Sequence, residues 1–353
     1  MKILILSLNP LYPSSVAYGL KSVKKNTHIT YLSYSVSNPI SRFSSDIDAF
    51  VYCSNKEDIV SKVISIIQRD NIDLLYPVDL FGSELCMQNK EIFLQHTKLI
   101  DIPTLESFHI AKNKWRLSQF LNTNGCNVSR GAEHNDNDDL TYPILLKPSE
   151  GAAGNGIEYI KNKEAYEKLD KLKEKVFFEE FIEGFDIICN VYCKNGVVVA
   201  HTFIKPKFFG DKGFTSHFDI HEFYEDAGAM KLVSECMLLL KWNGIACIDV
   251  RYSTKTHEYY IIEINPRFWA TLTTSLAAGV NFPYILMQGK VDEKSKGNVE
   301  TTTNIYSLKY IVKKGLFIKN PFIFKSSEFG YRLHNIYGTF REVTKNLFKK
   351  LKR

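Results

Sequence analysis

Residues 259–267 read Tyr259-Tyr260-Ile261-Ile262-Glu263-Ile264-Asn265-Pro266-Arg267 and place a carboxylate in the middle of an apolar run. The preceding apolar run, residues 245–250, carries a second carboxylate, Asp249. A carboxylate inside a buried strand is costly unless something neutralises its charge. Because side chains alternate between the two faces of a strand, Glu263 and Asn265 share one face, and Asp249 faces them if the runs pair.

These side chains predict a cation site. Three oxygen donors that converge on one point suit a hard cation such as Mg²⁺ or Mn²⁺. Arg267 continues the same face if the strand persists past Pro266, and it would then place a positive charge beside a phosphate. The alternative interpretation is a salt-bridge network of Asp, Glu and Arg at the end of a sheet.

A lysine and a glycine-rich loop lie upstream of these strands. Lys147 stands near the end of the apolar run 143–148, and Ser149-Glu150-Gly151-Ala152-Ala153-Gly154-Asn155-Gly156 follows it. Small residues let backbone N–H groups approach phosphate oxygens closely. The stretch is not a P-loop, because the lysine precedes it and no Lys-Ser/Thr pair follows Gly156. A phosphate-binding loop and an ordinary hairpin turn both stay open on this stretch alone.

An acidic strand end separates these two features. Residues 176–186 run from an apolar strand into Glu179, Glu180 and, after Gly184, Asp186. Such an edge can offer backbone groups to an adenine, with Asp186 reaching the ribose hydroxyls. Solvated charges at the end of a strand are the alternative.

Taken in order, the lysine strand, the glycine loop, the acidic hinge and the paired strands with Asp249 and Glu263 resemble the ATP-grasp superfamily. The resemblance extends from Ser14 to Pro283. Within the superfamily the chain is most similar to carbamoyl-phosphate synthetase large subunits and L-amino-acid ligases, above all through Glu263–Thr271. It implies an α/β plus α+β fold class, with an N-terminal Rossmann-like pre-ATP-grasp domain followed by a two-subdomain ATP-grasp fold.

The predicted boundaries follow from this resemblance. Residues 1–103 are predicted to form the pre-ATP-grasp domain, 104–290 the ATP-grasp domain, and 291–353 a basic C-terminal extension. Within the ATP-grasp domain, residues 104–185 are predicted to form the small subdomain with the Gly-rich loop. Residues 186–290 are predicted to form the large subdomain with the metal site.

The hydrophobic pattern agrees with this division. The first hundred residues alternate short apolar runs with helical patterns, which favours a parallel sheet covered by helices. The loop after the first strand, residues 9–15, lacks the Gly-rich dinucleotide fingerprint, so no dinucleotide is expected there. Leu105–Asn122 reads as one helix. From Tyr142 the chain reads as antiparallel strands with one helix at Ala227–Leu240.

The resemblance also implies which residues contact the substrates. It assigns ATP to Lys114, Lys147, Gly151, Ala152, Ala153, Gly154, Gly156, Glu179, Glu180, Phe181, Ile182 and Asp186. Lys114 is preferred to Lys112 as the first phosphate-contacting lysine. Asp186 stands where the family usually has a glutamate, which leaves its reach to the ribose open. Asp249, Glu263 and Asn265 match the metal ligands, although glutamate or glutamine often fills the first position.

The implied chemistry is shared by the family. A substrate carboxylate attacks the γ-phosphate of ATP to give an acylphosphate, and an amine then displaces phosphate. Positioning and charge neutralisation supply most of the catalysis, and Arg267 would stabilise the transferring group. Arg251, two residues after Asp249, either holds the substrate carboxylate or is a surface arginine at a hairpin.

Other outcomes of ATP activation stay open as alternatives. They are carboxylation, thioester formation and phosphotransfer, or a non-catalytic ATP-binding module at a membrane. The absence of a biotinyl or thiol-carrier motif argues against the first two. The acceptor side is predicted around Lys205, His217 and His221. The spacing of the two histidines could suggest zinc, but pocket-lining polar residues are favoured.

Composition limits the class of protein. The chain has 353 residues, 44% of them hydrophobic and 24% charged, which is typical of a globular protein of two or three domains. It has no apolar stretch of the roughly 18 residues that a membrane span needs. Its seven cysteines are scattered without a CxxC pair, which predicts a reduced, cytoplasmic protein.

The positive charge belongs to the C-terminal end. Residues 308–353 hold 12 Lys/Arg and 2 Asp/Glu, so their net charge of +10 exceeds the net charge of +6 of the whole chain. Residues 337–353 form a basic amphipathic pattern that suits either packing on the protein's own surface or peripheral contact with the inner face of a membrane. No nucleic-acid module accompanies the charge, so nucleic acid is not an expected partner. The sequence does not give the oligomeric state, and the family resemblance leaves a homodimer open.

Overall fold

The computed structural model describes residues 1–34, 36–55, 58–133, 140–151, 154–169, 176–207, 219–293, 295, 297–320, 323, 326–327 and 329–335. Across these residues no helix is both long and apolar enough to span a bilayer. The buried thiols of all seven cysteines are free.

The N-terminal unit is a parallel sheet with helices packed on it. Its strands and helices are β1 (Lys2–Leu6), α1 (Tyr12–Val23), β2 (His28–Tyr34), β3 (Ala49–Cys53), α2 (Ile59–Asp70), β4 (Leu74–Pro77), α3 (Leu80–Gln88), α4 (Lys90–Leu94) and β5 (Lys98–Leu99). The strand order is β3-β2-β1-β4-β5, and all four pairings are parallel. Four of the five residues of β1 are fully buried, as expected for a central strand covered on both faces.

A break in a predicted helix sets the position of one candidate lysine. The expectation of a single helix over Leu105–Asn122 is wrong, because the chain forms α5 (Leu105–Lys112) and α6 (Lys114–Thr123). Asn113 between them is extended, with φ −104° and ψ 112°, and its side chain accepts a hydrogen bond from the Arg116 amide. This capping makes Lys114 the first residue of a new helix.

A small antiparallel sheet follows. Its elements are β6 (Gly131–Ala132), β7 (Ile144–Pro148), β8 (Glu158–Ile160), α7 (Lys163–Glu167) and β9 (Val176–Glu180). The strand order is β6-β9-β7-β8. A separate hydrophobic core lies beneath it, formed by Ala132, Leu140, Ile144, Leu146, Ile160 and Phe178.

The large sheet is also antiparallel. Its elements are β10 (Gly184–Lys194), β11 (Val197–Lys207), β12 (Ile220–Tyr224), α8 (Ala227–Leu239), β13 (Gly244–Ser253), β14 (Tyr259–Asn265) and β15 (Thr303–Tyr306). The strand order is β14-β13-β10-β11-β12-β15. One face packs with α8, α5 and α6 in a second core, and the other face joins the core of the N-terminal unit.

Two features of the packing bear on the predicted boundaries. Helices α5 and α6, placed by the sequence in the small subdomain, share their core with the large sheet through Ala111, Leu117 and Leu121. Strand β15 lies in the predicted C-terminal extension, yet it pairs with β12 and completes the large sheet. The boundaries therefore stay a prediction, with the described part of residues 291–353 built into the fold.

The remaining helices follow strands β14 and β15 in the chain. They are α9 (Leu272–Ala277), α10 (Phe282–Gln288), α11 (Leu308–Lys313), α12 (Leu316–Lys319) and α13 (Phe329–His334). Helix α13 lies against the N-terminal unit, where Tyr331 Oη is 2.8 Å from Ser14 Oγ and His334 Nε2 is 3.0 Å from Asp46 Oδ1. The basic stretch 337–353 lies outside the described residues.

Candidate nucleotide and metal site

The predicted metal ligands meet on neighbouring strands. Asp249 in β13 lies directly opposite Glu263 in β14, and Cys247 lies opposite Asn265. A register shift follows Asp249, which marks a bulge beside the carboxylate pair. The Asn265 amide donates to Glu263 Oε1 at 2.8 Å. The structure therefore brings together all three donors that the sequence proposed.

Charge balance at this pair favours a cation. Burial raises the pKa of Asp249, and the neighbouring Glu263 carboxylate raises it further. Burial also acts to raise the pKa of Glu263, but the Lys114 ammonium and the Asn265 amide outweigh it and lower that pKa. Two carboxylates and an amide oxygen form a hard donor set that fits Mg²⁺. No cluster of three or more His, Cys, Asp or Glu side chains that could hold a metal occurs in the described chain. The site here has two carboxylates, and its third donor is the amide of Asn265.

Lys114 connects the phosphate loop to the metal pair. Its ammonium lies 3.0 Å from Glu263 Oε2 and donates to the Gly151 carbonyl at 2.9 Å. Its backbone N–H donates to the Ser149 carbonyl at 2.8 Å. Lys112, the rejected alternative, instead lies 3.5 Å from Glu84. The structure thus places Lys114, and not Lys112, beside the loop and the carboxylates.

Lys147 forms an ion pair with Glu179 across the small sheet. Strands β7 and β9 pair so that Leu145 lies opposite Glu179 and Lys147 opposite Phe177, which sets the two charged side chains diagonally on one face. The two side chains are 5% and 4% exposed. This buried charge pair lies next to the glycine loop in the chain, because Ser149 follows Lys147 by two residues.

The loop after β7 has the backbone that glycine permits. Gly154 and Gly156 have φ angles of +71° and +79°. Among the described residues, only two atoms of Pro148 lie within 4 Å of a Cβ added at Gly156, so its positive φ is the reason for glycine there. Gly151 contributes its carbonyl to Lys114, while Ala152 and Ala153 lie outside the described residues.

Several backbone groups of the predicted adenine hinge already form hydrogen bonds within the protein and are not available to a base. The Glu180 N–H donates to the Arg130 carbonyl, and its carbonyl accepts from Ser129 Oγ at 2.6 Å. Phe181 N–H donates to the Pro143 carbonyl. Among the described residues the Ile182 N–H has no hydrogen-bond partner, so Ile182 is the hinge position that can offer a backbone donor to a base.

Arg251 lies at this hinge. Its Nε donates to the Ile182 carbonyl at 2.9 Å, and one terminal nitrogen donates to Asp186 Oδ1 at 2.8 Å. Its guanidinium also lies 5.4 Å from the centre of the Phe181 ring. The contact with a substrate carboxylate stays a prediction, because in this structure Arg251 holds the segment that carries the candidate ribose acid.

Arg267 is held by neutral acceptors. One terminal nitrogen donates to Tyr12 Oη at 2.8 Å and to the Phe268 carbonyl at 2.9 Å, and the other donates to Asn265 Oδ1 at 3.0 Å. The guanidinium therefore contacts the amide of the predicted metal ligand Asn265. Tyr12 was not found from the sequence, although its position at the start of α1, directly after the loop that follows β1, was a usable signal.

The three acceptor-side candidates have different positions. Lys205 lies on the face opposite to Asp249, with its ammonium 3.9 Å from the centre of the Phe185 ring, so it is not brought to the metal pair. His221 lies on the same face as Asp249, and burial lowers its pKa to about 4. His217 lies outside the described residues.

Comparison with known proteins gives this arrangement a class. The family described as ATP-grasp domain matches residues 111–271. Residues 111–271 therefore match an ATP-grasp domain, which confirms the resemblance over that part of the chain, and the fold class agrees with it.

Curated relatives are ligases. The chain is 28% identical over 180 residues to the D-alanine–D-alanine ligase of Clostridium perfringens strain SM101, covering 45% of this chain and 56% of that protein. It is 30% identical over 152 residues to the D-alanine–D-alanine ligase of Clostridium beijerinckii, covering 38% and 47%. The chain thus spans about half the length of these relatives.

Solved structures share the fold over most of the chain. The L-amino acid ligase from Bacillus licheniformis has a TM-score of 0.64 at 16% identity, covering 86% of this chain and 79% of that one. N5-carboxyaminoimidazole synthetase from Staphylococcus aureus, complexed with ADP, has a TM-score of 0.67 at 12% identity, covering 91% and 86%.

Proposed function

We propose that this chain is an ATP-dependent ligase that joins a small-molecule carboxylate to an amine and releases ADP and phosphate. The observation that carries the proposal is the convergence of Asp249, Glu263 and Asn265 with Lys114, which also holds the phosphate loop at Gly151. The ligase relatives support the same reaction class.

Amino acids are the first substrate class to test. The curated relatives are named as D-alanine–D-alanine ligases, and one solved structure is named as an L-amino acid ligase. A cell-envelope saccharide precursor with a carboxylate is the second class. An amino acid can supply both groups that the reaction needs, a carboxylate to be activated and an amine to attack it, whereas the saccharide precursor would supply the carboxylate and take a separate amine.

The residues of this chain would act mainly by charge and position. Lys114 and Lys147 would exchange their present carboxylate partners for phosphate oxygens of ATP. Arg267, which has no acidic partner among the described residues, would hold the transferring phosphoryl group. Asp249, Glu263 and Asn265 would hold magnesium, which supplies charge neutralisation at the phosphates. The amine then attacks the acylphosphate carbonyl, so no side chain has to act as a nucleophile.

The test is a panel assay of ADP release. Purified protein is incubated with Mg²⁺, ATP and single amino acids, amino-acid pairs, bicarbonate and thiols, and products are identified by mass spectrometry. We expect ADP release that requires both an acid and an amine, with a new amide mass. ADP release with bicarbonate and no amine would contradict ligation and indicate carboxylation. ATP binding without ADP release in any mixture would favour the non-catalytic module.

Other expectations stay proposals. A homodimer, a cytoplasmic location and magnesium as the working metal are consistent with the fold but rest on the family. Membrane contact depends on residues 337–353, which the structure does not describe. Sedimentation with anionic liposomes, with and without these residues, tests it; equal binding by both forms would exclude the tail as the contact.

A further inference from the structure

The loop that carries Arg267 lies at a special edge of the N-terminal sheet. In the strand order β3-β2-β1-β4-β5, the strands after β1 are added on one side of it, and β4 and β5 are added on the other side. At such a reversal of strand order a crevice opens between the carboxyl ends of the two central strands, here β1 and β4. The Phe268 N–H donates to the carbonyl of Val78, the residue after β4, at 3.4 Å. Arg267 donates to Tyr12, the first residue of α1 after the loop that follows β1. Both flanks of the crevice therefore touch this loop.

Arg267 has hydrogen bonds but no ion pair within the described part of the chain. Its three acceptors are the Tyr12 hydroxyl, the Phe268 carbonyl and the Asn265 amide oxygen. None of the described acidic side chains lies within ion-pairing distance. An arginine held by neutral groups keeps its full attraction for an incoming anion, and these contacts decide where the guanidinium points.

Tyr12 itself is fixed by the N-terminal unit. The Asn9 side chain accepts the N–H groups of Leu11 and Tyr12 at 2.9 and 3.3 Å. The Asn9 N–H donates in turn to Asp79 Oδ2 at 2.8 Å, and Asp79 caps α3 through the Gly82 amide. Tyr12 is 8% exposed. A side chain anchored in this way can hold a partner without moving when substrate arrives.

The Tyr12 hydroxyl retains a proton of its own. Burial raises the pKa of Tyr12, and this outweighs the opposing effect of Arg267. The hydroxyl accepts from Arg267, while its O–H has no acceptor among the described residues. It can therefore hold Arg267 through its oxygen and still donate to an anion placed beside the guanidinium.

We infer that Tyr12 is a positioning residue for Arg267, which makes the N-terminal unit a working part of the phosphoryl-transfer site. The inference rests on the proposed ligase function for its kinetic readout. It gives a role to Tyr12, which lies in the stretch 9–15. For that stretch the sequence indicated only that the Gly-rich dinucleotide fingerprint is missing.

The experiment compares Tyr12→Phe with Tyr18→Phe. Tyr18 lies on the same helix and contacts the rings of Tyr331 and His334, away from Arg267. We expect Tyr12→Phe to lower kcat by about 10- to 100-fold, the range for a hydrogen bond to a charged group, with the KM for ATP changed less than twofold. Tyr18→Phe should change neither. Equal kcat values for Tyr12→Phe and wild type would overturn the inference.

A double-mutant cycle separates positioning from general packing. In an Arg267→Lys background, Tyr12→Phe should cost no more than about twofold, because the contact it removes is already lost. The same fold-loss in both backgrounds would show that Tyr12 acts independently of Arg267 and would overturn the proposal. Circular dichroism and thermal unfolding of each variant confirm that the fold is retained.

A binding measurement keeps the test independent of the proposed function. If the wild type releases no ADP with any acid–amine pair, the ligase proposal fails, and titration calorimetry with Mg·ADP and with Mg·ADP plus aluminium fluoride replaces kinetics. Tyr12→Phe should then weaken the fluoride complex, which mimics a transferring phosphoryl group, and leave Mg·ADP unchanged. Equal affinity of wild type and Tyr12→Phe for the fluoride complex would refute the positioning role.

Discussion

Replacing Glu179 with glutamine should destabilise the small sheet strongly when no nucleotide is bound. Lys147 and Glu179 form an ion pair with only 5% and 4% of their side chains exposed, so the change leaves a buried ammonium without its counter-charge. Removing one partner of a buried pair costs about 3–5 kcal/mol. An exposed pair, Arg69–Asp70, is worth about 0–1 kcal/mol, which makes Asp70→Asn the matched control.

Nucleotide should restore much of that loss. Ligand at 100 times its Kd stabilises a native state by about 2.7 kcal/mol. In the wild type, part of the binding free energy is used to separate Lys147 from Glu179, whereas in Glu179→Gln the phosphates meet an ammonium without a partner. We therefore expect saturating Mg·ADP to stabilise Glu179→Gln more than wild type, and Lys147→Met less than wild type.

Urea unfolding followed by tryptophan fluorescence measures both effects. Trp115 is a suitable reporter, because its ring centre lies 5.4 Å from that of Phe177, the neighbour of the pair in β9. The double variant Lys147→Met/Glu179→Gln should lose less than the sum of the single losses, since no isolated charge remains. A Glu179→Gln protein within 1 kcal/mol of wild type, with the same response to Mg·ADP, would refute this account of the pair.

Three further predictions concern the metal site, the phosphate lysine and pH. Glu263→Gln should keep the fold, as measured by circular dichroism, and should lower metal-dependent turnover by at least about 100-fold. The control Glu258→Gln, at the hairpin turn, should leave turnover unchanged. Unchanged turnover in Glu263→Gln would remove Glu263 from the site. Lys114→Met should raise the KM for ATP by about 10-fold, and Lys112→Met by less than twofold; the reverse order would exchange their roles. Burial lowers the pKa of His221 to about 4, so its neutral form is favoured on folding, and stability is lost as pH falls from 6.5 towards 4 because the unfolded chain takes up the proton first. Urea midpoints should show wild type losing about 2 kcal/mol more than His221→Gln between pH 7 and pH 5, and equal losses would contradict the assignment.

Much of the fold was readable because the deciding signals are local. The period-2 pattern around Asp249 and Glu263 predicted two strands and the face on which their carboxylates meet, and β13 and β14 pair in that register. Strand–helix alternation over the first hundred residues predicted the parallel sheet for the same reason. In each case the pattern of apolar side chains within a strand indicates that the strand is buried.

The errors lie where long-range contacts override local preference. Leu105–Asn122 has the composition of one helix, yet it breaks at Asn113. There a side-chain cap combines with the hydrogen bond from the Lys114 N–H to the carbonyl of Ser149, the residue after β7. The acceptor-side role of Lys205, which the family resemblance implied, stays a prediction, although its position depends on strand pairing as well. The register of β11 turns it to the opposite face, over Phe185.

By itself the sequence determined the set of chemical groups: two carboxylates and an amide on paired strands, two lysines and a glycine loop. The sequence also determined on which face of its strand most of these groups lie, because the alternation of side chains depends on the strand's own backbone and not on neighbouring strands. Only the tertiary structure decided which groups meet. Tyr12 and Arg267 are separated by 255 positions in the chain and come within 2.8 Å, because the N-terminal sheet and the large sheet share one core. No local pattern encodes such a contact, since it depends on how whole layers pack.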